Sequence, residues 1–361
     1  MNNLFHKSQA DEELAEKINQ FFSIYDIQHE NGNIYFFGVP KEDLRIIYEK
    51  LWQAFSEKGY QFTFKYELGE HILIASPFTP ARERRWINVV LALATVITTM
   101  VVGSFLFAAD PISNPWDVLK GIPFTVAIMT ILGAHEAGHY ITAKRHGMRT
   151  SLPYFIPFPN MIGTMGAVIK HSGPIPSRKA LFDVGVSGPL IGLFVSVVVT
   201  IIGLLQPPVI QTPGSLQVQL GIPLLFDFIT RLIPGANGTG MHPIAFAGWV
   251  GMFVTALNLI PAGQLDGGHV LRAMLGEKAS YVSNVIPFIL ISFGFYLTYF
   301  QNRDGFLWVI WGLFLSLFAA AGHPKPLNDE IPLGKGRMIL GVIAFILGIL
   351  CLTPVPFQMT P

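Results

Sequence analysis

The chain has 361 residues, of which 51% are hydrophobic and only 13% are charged. A soluble domain carries about 25% charged residues, so this composition indicates a membrane protein. The formal net charge of +1 argues against a nucleic-acid partner, and the single cysteine excludes an internal disulfide framework and a cysteine-rich metal site. Residues 1–85 hold 10 Lys or Arg and 13 Asp or Glu, nearly half of all the charged residues. A soluble domain is therefore expected to precede a membrane domain.

In chain order, the first predicted elements are a helix around residues 11–25 and a short strand in GNIYFFG. The next helix has an apolar stripe at helical spacing, made of Leu44, Tyr48, Leu51 and Phe55. The sequence QFTFKYELGEHILIAS then alternates like a hairpin that turns near Gly69. These elements predict a small α+β soluble domain over residues 1–80, with a regulatory or substrate-recognition role. The linker SPFTPARERR connects it to a membrane domain over residues 81–361.

Seven apolar stretches follow, each a candidate to cross the roughly 30 Å hydrocarbon core of a bilayer. They lie near residues 86–108, 119–143, 180–205, 245–274, 281–300, 305–321 and 337–353. Because the sixth is short and the fourth overlong, we expect a polytopic α-helical membrane protein with about 6–7 transmembrane helices. Residues 86–275 are the predicted core of the domain, and residues 281–353 supply additional helices.

Positive charges predict the orientation of these helices. Lys and Arg cluster before the first stretch, after the second, before the third, at the end of the fourth and before the seventh. The alternate loops hold only Lys120, Arg231 and Arg303. By the positive-inside rule, the N-terminal domain is expected to face the cytoplasm, or the stroma in a plastid. The expected location is the cell inner membrane or a thylakoid or other plastid membrane.

The segment SLPYFIPFPNMIGTMGAVIKHSG, residues 151–173, is apolar but contains three prolines and several glycines. Proline removes a backbone donor and breaks a helix, so this segment is not a simple transmembrane helix. Irregular backbone survives at membrane depth only where protein buries it or water reaches it. We therefore predict a re-entrant β-hairpin between the second and third helices.

The sequence ILGAHEAGHY places His135, Glu136 and His139 inside the second apolar stretch. A charged side chain costs about 2.5–3.5 kcal/mol at the centre of a membrane helix. We therefore expect this group of residues to have a function. Histidines four apart share one helix face and can chelate one metal ion, and Glu136 can reach water beside that ion. The pattern H-E-x-x-H on a helix is typical of zinc hydrolases with Glu as general base.

A catalytic zinc needs a third protein ligand. The metzincin extension of H-E-x-x-H is absent, since Thr142 and Arg145 occupy its places. Asp266 is the favoured ligand because its depth matches that of His139. At 1.5 Å per residue, His139 lies about 8 Å of helical rise from Lys144, and Asp266 lies about 9 Å from the basic end of the fourth stretch.

Other polar residues are less favoured as metal ligands. His269 competes with Asp266 as a ligand, although a helix-end or supporting role is the commoner one for such a histidine. Asp183 is expected to be a solvated charge at the start of the third helix, and Asp227 lies in the outer loop. The Asn258–Gly263 stretch is expected to break the fourth helix just before Asp266 and to open a polar pocket.

The motif H-E-A-G-H at residues 135–139, followed by N-x-x-P-x-x-x-L-D-G at residues 258–267, resembles the paired signature of the site-2 protease family of intramembrane zinc metalloproteases. Residues 166–192 and 242–269 are similar to the subgroup found in cyanobacteria, other bacteria and plant chloroplasts. The resemblance covers about residues 86–330 and no PDZ-like insert is evident in the outer loop.

The resemblance implies one Zn²⁺ per chain, held by His135, His139 and Asp266. It implies that Glu136 is the general base and that Asn258 holds the substrate or the developing oxyanion. The implied reaction is peptide-bond hydrolysis within or beside a transmembrane segment of a membrane-anchored substrate, such as a single-span anti-sigma factor. An unwound substrate needs hydrogen-bond partners, which the hairpin edge offers by β-augmentation. The expected substrate-binding residues are Gly166, Ala167, Val168, His171, Asn258 and Pro261.

Two other functions are open to the same residues. An intramembrane metal-ion transporter also needs membrane-embedded His and Asp, but it predicts inverted repeats, which the sequence does not contain. An inactive membrane scaffold is expected to have lost part of the ligand set, whereas all three ligands and Glu136 are present. The intramembrane protease, in contact with the lipid bilayer and with protein substrates, is the favoured interpretation.

Overall fold

The computed structural model describes residues 9–67, 69–78, 84–207, 209, 218–234, 241–320, 322 and 325–359. The N-terminal domain is a four-stranded antiparallel sheet with the strand order β1-β2-β4-β3 and two helices. Its elements are α1 (Gln9–Asn19), β1 (Phe22–Glu30), β2 (Asn33–Pro40), α2 (Leu44–Glu57), β3 (Tyr60–Glu67) and β4 (Glu70–Pro77). The predicted domain boundary at residue 80 lies outside the described residues.

The apolar stripe of α2 packs on this sheet as predicted. Tyr48, Leu51 and Phe55 are buried against sheet residues that include Phe36 and Phe62. The turn at Gly69 and the strand in GNIYFFG are confirmed by β2, β3 and β4. Aromatic and aliphatic burial of this kind is the main favourable contribution to the folding of so small a domain.

The predicted helix around residues 11–25 is wrong beyond Asn19, because β1 begins at Phe22. Leu14, Ile18 and Phe22 are all fully buried. Their spacing of four residues continues the helical pattern across the boundary and conceals the start of the strand.

Nine helices follow in the described part of the membrane domain. They are α3 (Arg85–Leu106), α4 (Ile122–Arg145), α5 (Arg178–Leu204), α6 (Leu224–Leu232), α7 (Pro243–Asn258), α8 (Asp266–Leu275), α9 (Ala279–Phe300), α10 (Phe306–Ala320) and α11 (Lys335–Cys351). Within the described residues, four helical stretches are long and apolar enough to cross a membrane: Arg85–Leu106, Pro115–Arg145, Arg178–Leu204 and Asp266–Phe300. Pro243–Asn258 and Phe306–Phe318 are shorter apolar helices. The chain is therefore a membrane-embedded protein.

The fourth apolar stretch is two helices, as its prolines and glycines predicted. α7 ends at Asn258, and α8 begins at Asp266 after a non-helical turn. Between α5 and α7 the described residues contain β9 (Val218–Leu220) and α6, and β9 pairs with β10 (Phe357–Met359). α4, α5 and α7 form the centre of the domain, with Trp249 and Phe124 among the buried side chains.

The segment between α4 and α5 is a β-hairpin, as predicted. It contains β5 (Arg149–Thr150), β6 (Tyr154–Pro157), β7 (Thr164–Val168) and β8 (His171–Ser172), with β6 paired to β7 and β5 to β8. Helix α3 holds it in place. Asn88 Nδ2 donates to the carbonyl of Leu152 at 2.9 Å, and Thr98 Oγ1 donates to the carbonyl of Gly163 at 2.6 Å.

The N-terminal domain docks on one end of the helical domain. Its contacts include Trp52 Nε1 with the His146 carbonyl at 3.2 Å, Lys179 Nζ with Glu49 at 3.0 Å and Arg45 Nε with Glu330 at 2.6 Å. The end of α4, the start of α5 and the loop between α10 and α11 therefore lie on the same side as the soluble domain. The basic end of α4 and the basic start of α5 therefore lie together.

Candidate metal centre

Helix α4 carries three buried polar side chains in its last three turns. His135, Glu136 and His139 are only 6%, 6% and 7% exposed, respectively. The two imidazoles lie one turn apart on one face, with ring centroids 4.8 Å apart. Their Nε2 atoms point at each other at 3.1 Å. Two nitrogen lone pairs that converge inside an apolar helix need a proton or a cation between them.

Asp266 completes a triangle of ligand atoms. Its Oδ2 lies 3.3 Å from Nε2 of His135 and 3.3 Å from Nε2 of His139. Two ligands held about 2.05 Å from a tetrahedral zinc ion are about 3.3 Å apart. The three observed distances, 3.1, 3.3 and 3.3 Å, therefore match one face of a zinc tetrahedron. Among the described residues these three could hold a metal ion, and zinc fits them.

The neighbouring backbone sets the orientation of one imidazole. Nδ1 of His139 lies 2.8 Å from the carbonyl oxygen of Val184 on α5. A carbonyl only accepts, so Nδ1 carries the proton and Nε2 keeps its lone pair for a metal ion. A hydrogen bond of this kind to the distal nitrogen is usual for histidine ligands, and it fixes both tautomer and ring orientation.

Glycines on α5 make room for both imidazoles. A Cβ atom at Gly188 would lie 2.1 Å from Nε2 of His139, and a Cβ at Gly192 would lie 3.0 Å from Nδ1 of His135. The small residues Gly188 and Gly192 thus help to shape the metal centre. Close approach of α5 to α4 depends on the missing side chains.

The break between α7 and α8 presents Asp266. It is the first residue of α8, and the two glycines after it lie against the preceding turn. A Cβ at Gly267 would lie 2.4 Å from the Leu259 carbonyl, and a Cβ at Gly268 would lie 2.3 Å from the Gly263 carbonyl. The D-G-G sequence therefore lets the chain turn back tightly enough to place the carboxylate beside α4.

A cavity of about 850 Å³ opens on this centre. Most of the residues predicted to be functional line it, namely His135, Glu136, Gly166, Ala167, Val168, His171 and Asn258. The strand β7 thus lines the same space as the H-E-x-x-H helix, which their separation in sequence does not reveal. Pro261 is not among the lining residues, and its carbonyl accepts a hydrogen bond from Ser283 Oγ at 3.2 Å.

Asp183 is not a solvated charge, so that expectation is wrong. Its carboxylate accepts hydrogen bonds from Nε and Nη2 of Arg337, at 2.7 and 2.8 Å, and lies 3.0 Å from Nε2 of His146. The partner Arg337 is on α11, far along the chain, which is why local sequence did not reveal the pair. Asp183 therefore joins α5 to α4 and α11 and is not in the group around Asp266.

The remaining alternatives occupy other places. His269 lines the cavity but is not in the triangle of ligand atoms. Asp227 pairs with Arg231 one turn along α6 at 2.8 Å. His242 caps α7 by accepting from the Ile244 amide at 3.2 Å.

One wall of the cavity, formed by α10, was not predicted from the sequence. Trp311, Phe314 and Phe318 of α10 line it. Their spacing of three and four residues puts them on one helix face, which was the available signal. Such a stripe is usual for lipid-facing and core helices alike, so the pattern alone did not assign it to a site.

Comparison with known proteins agrees with this geometry. Residues 123–298 match peptidase family M50. The chain is 26% identical over 336 residues to "Probable zinc metalloprotease EGY1, chloroplastic" of Oryza sativa subsp. japonica, covering 87% of this chain and 55% of that protein. It is 30% identical over 246 residues to the protein of the same name from Arabidopsis thaliana, covering 65% and 43%.

A third relative is "Probable zinc metallopeptidase EGY3, chloroplastic" of Arabidopsis thaliana, 27% identical over 282 residues and covering 73% of this chain and 47% of that protein. The chain spans about half the length of the curated relatives it matches. No solved structure matches it. The predicted relationship to the site-2 protease family is confirmed by the family match and by these relatives.

Proposed function

We infer, with the peptidase family M50 match of residues 123–298 as the premise, that this chain is an intramembrane zinc endopeptidase. Its proposed reaction is the hydrolysis of peptide bonds within or beside the transmembrane segments of membrane-anchored proteins. One observation carries the proposal: His135, His139 and Asp266 form a zinc-sized triangle, and His135 of this triangle lines the same cavity as Glu136.

The proposed ligands are two imidazoles and one carboxylate, which leave a fourth position for catalysis. A zinc ion held there supplies Lewis acidity, which lowers the pKa of water to about 7 and polarises the scissile carbonyl. Glu136 is the proposed general base. Its carboxylate takes the proton from the attacking water and then donates it to the nitrogen of the departing amine.

Asn258 is the proposed oxyanion partner. It ends α7 and lines the cavity with Glu136. A side-chain amide aimed at the carbonyl oxygen stabilises the negative charge that develops there. The helix break supports this role, because it leaves Asn258 at the end of α7, where it lines the cavity.

The hairpin is the proposed substrate platform. β7 is paired on one side only, with β6, in a two-stranded sheet. Its residues Gly166, Ala167 and Val168 line the cavity. A substrate helix must unwind before cleavage, and its free backbone groups then need partners. Addition of the unwound segment to β7 would supply them by β-augmentation.

The topology we propose has seven crossings: α3, α4, α5, α7 with α8, α9, α10 and α11. Docking of the soluble domain beside the basic ends of α4 and α5 supports a cytoplasmic or stromal N-terminus under the positive-inside rule. The proposed location is a cell inner membrane or a plastid membrane. Single-span regulators, such as anti-sigma factors, are the proposed substrate class.

Cleavage by purified zinc-loaded protein tests the function. Wild type and Glu136→Gln are compared on a panel of single-span model substrates, with the zinc content of each variant measured. We expect wild type to cleave, and Glu136→Gln to lose cleavage while it keeps about one zinc per chain. Persistent cleavage by Glu136→Gln would refute the assignment of the base. Failure of wild type on the whole panel would count against the protease itself.

A proline substitution at Ala167 tests the platform separately. Proline removes a strand N–H, so cleavage should be lost while zinc stays bound. Unchanged cleavage by Ala167→Pro would contradict the role of β7.

A further inference from the structure

A groove lies between the N-terminal domain and the loop that joins α10 to α11. Its volume is about 620 Å³. Apolar and aromatic side chains from both of its sides line it, namely Leu44, Tyr48, Phe64 and Leu327. Leu327 belongs to the loop and is 40% exposed, so part of this apolar surface is open to a ligand.

Carboxylates outnumber cations in this groove. Among the described residues that line it, Arg45 is the one cation, and the carboxylates are those of Glu42, Asp43, Asp329 and Glu330. Asp329 binds the buried Arg272 at 2.5 Å. Three carboxylates and Arg45 are therefore left to interact with a ligand, and negative charge is in excess.

The ion pairs of these three carboxylates are exposed. Arg45 Nε lies 2.6 Å from Glu330 and 3.8 Å from Asp43, and Glu42 pairs with Lys50 at 2.7 Å. The side chains of Glu42, Asp43 and Glu330 are 41%, 53% and 67% exposed, respectively. Ion pairs with this exposure are weak. Lysine and arginine side chains of a ligand can therefore compete for the same carboxylates.

The N-terminal domain as a whole has the same sign of charge. Residues 9–78 contain 12 Asp or Glu and 6 Lys or Arg, a formal charge of −6. In the proposed topology this domain lies on the side of the membrane where the positive-inside rule places Lys and Arg. The rule holds for single-span proteins of either orientation, so the flank of a substrate on that side is basic. The groove and such a flank are complementary in charge.

The loop between α10 and α11 connects this groove with the catalytic cavity. Lys325 lines the cavity, and Leu327 lines the groove. Two residues span at most about 7 Å, so the two spaces lie on adjacent parts of one loop. The charge changes sign between them, because Lys170 and Lys325 line the cavity, whereas the groove is acidic. Basic residues of a substrate are therefore repelled from the cavity and attracted to the groove.

We propose that this groove binds the basic segment that flanks the transmembrane helix of a substrate on the side of the N-terminal domain. This inference rests on the proposed protease function. The groove is then a second binding site, which holds Lys and Arg of the flank while the neighbouring uncharged segment enters the catalytic cavity. It selects substrates by the charge of their flank and fixes which segment reaches the metal centre.

The test measures kcat and KM separately on two single-span peptides of Leu and Ala with a central Asn-Gly-Pro sequence. The basic peptide has Lys-Lys-Arg-Lys at each end, and the neutral peptide has Ser-Gln-Ser-Gln. One exposed ion pair changes affinity by a factor of about 1.4 to 5. Because several pairs form, we expect wild type to have a KM about tenfold lower for the basic peptide, with a similar kcat. Salt at about 0.5 M shortens the Debye length to about 4 Å and should remove most of this difference.

A charge reversal locates the effect in the groove. Glu42→Lys combined with Glu330→Lys should raise KM for the basic peptide about tenfold and leave kcat unchanged. Glu30→Lys combined with Glu67→Lys is the matched control, because it changes the net charge equally at two exposed carboxylates that do not line the groove. This control should have the KM of wild type.

A third peptide with Glu at all eight flanking positions separates binding from folding. The groove variant should cut it with a lower KM than wild type does, which a merely unstable variant would not do. A KM no lower than that of wild type would overturn the proposal.

Two further outcomes would also overturn it. Equal KM values of wild type for the basic and neutral peptides would do so and leave the protease function intact. An equal rise in KM in the control variant would assign the effect to the charge of the whole domain. Failure of wild type on all three peptides, beside a panel that it also fails to cut, would overturn the proposed function itself.

Discussion

Gly188 on α5 is the position where one added methyl group should damage the metal centre most. In Gly188→Ala the new Cβ would lie 2.1 Å from Nε2 of His139, 2.4 Å from Cδ2 and 2.5 Å from Cε1. Ordinary contacts of a Cβ begin at 3.4 Å. The imidazole or the helix must therefore shift by about 1.3 Å, whereas metal–ligand distances tolerate only about 0.2 Å. We expect zinc affinity to fall at least about 100-fold, the upper end of the range for lost support of a ligand.

Two further alanine variants grade the effect. Gly192→Ala places its Cβ 3.0 Å from Nδ1 of His135, and Gly133→Ala on α4 meets nothing within 4 Å. The expected order of zinc loss is therefore Gly188→Ala, then Gly192→Ala, then Gly133→Ala. Gly133→Ala should bind zinc like wild type and be slightly more stable, because alanine favours a helix over glycine by about 1 kcal/mol.

The assay is competition with a chelator of known zinc affinity, read as zinc per chain by mass spectrometry, with Tm measured in the same detergent. Wild-type zinc affinity in Gly188→Ala would refute the steric argument. Equal damage by Gly133→Ala would also refute it, because the effect would then reflect any change in these helices.

Two other predictions concern the supports of the site. Gly163 has a φ of +85°, and a Cβ there would lie 2.8 Å from the Cα of Thr99. Gly163→Ala should therefore displace the hairpin and lower the cleavage rate at least tenfold, with zinc retained. Cleavage at the wild-type rate by Gly163→Ala would contradict this. Trp52→Phe removes the hydrogen bond to the His146 carbonyl, worth about 1 kcal/mol. Hydrogen exchange at residues 146–150 should rise about fivefold, and unchanged exchange would argue that this contact does not hold the two domains together.

Much of the site was predictable because its chemistry is concentrated in two short motifs. Costly residues in an apolar stretch identified His135, Glu136 and His139. The proline and glycine pattern before Asp266 predicted the break that separates α7 from α8. In both cases the motif contains residues that are unfavourable in a membrane helix, so it stands out in a single sequence.

The strand β1 was missed for an equally local reason. A register shift between Ile24 and Asp26 interrupts its pairing with β2. The inward positions are consequently Phe22, Ile24 and Ile27, which do not follow the strict period of two that marks a strand. The four-residue spacing of Leu14, Ile18 and Phe22 predicted a continuing helix instead of this strand.

Long-range contacts were beyond sequence reasoning. The pairing of Asp183 with Arg337 joins residues 154 positions apart. That α10 and β7 line one cavity is visible only in the folded chain. Both depend on which helices are neighbours, and the sequence of one chain does not encode that in a local pattern.

If His135, His139 and Asp266 hold one zinc ion, zinc K-edge X-ray absorption on the purified protein will show it. We expect about four nitrogen or oxygen ligands at 2.0–2.1 Å, two of them imidazoles, with the spectrum lost in Asp266→Ala as zinc is released. A sulfur ligand, six oxygen ligands, or an unchanged spectrum in Asp266→Ala would contradict it.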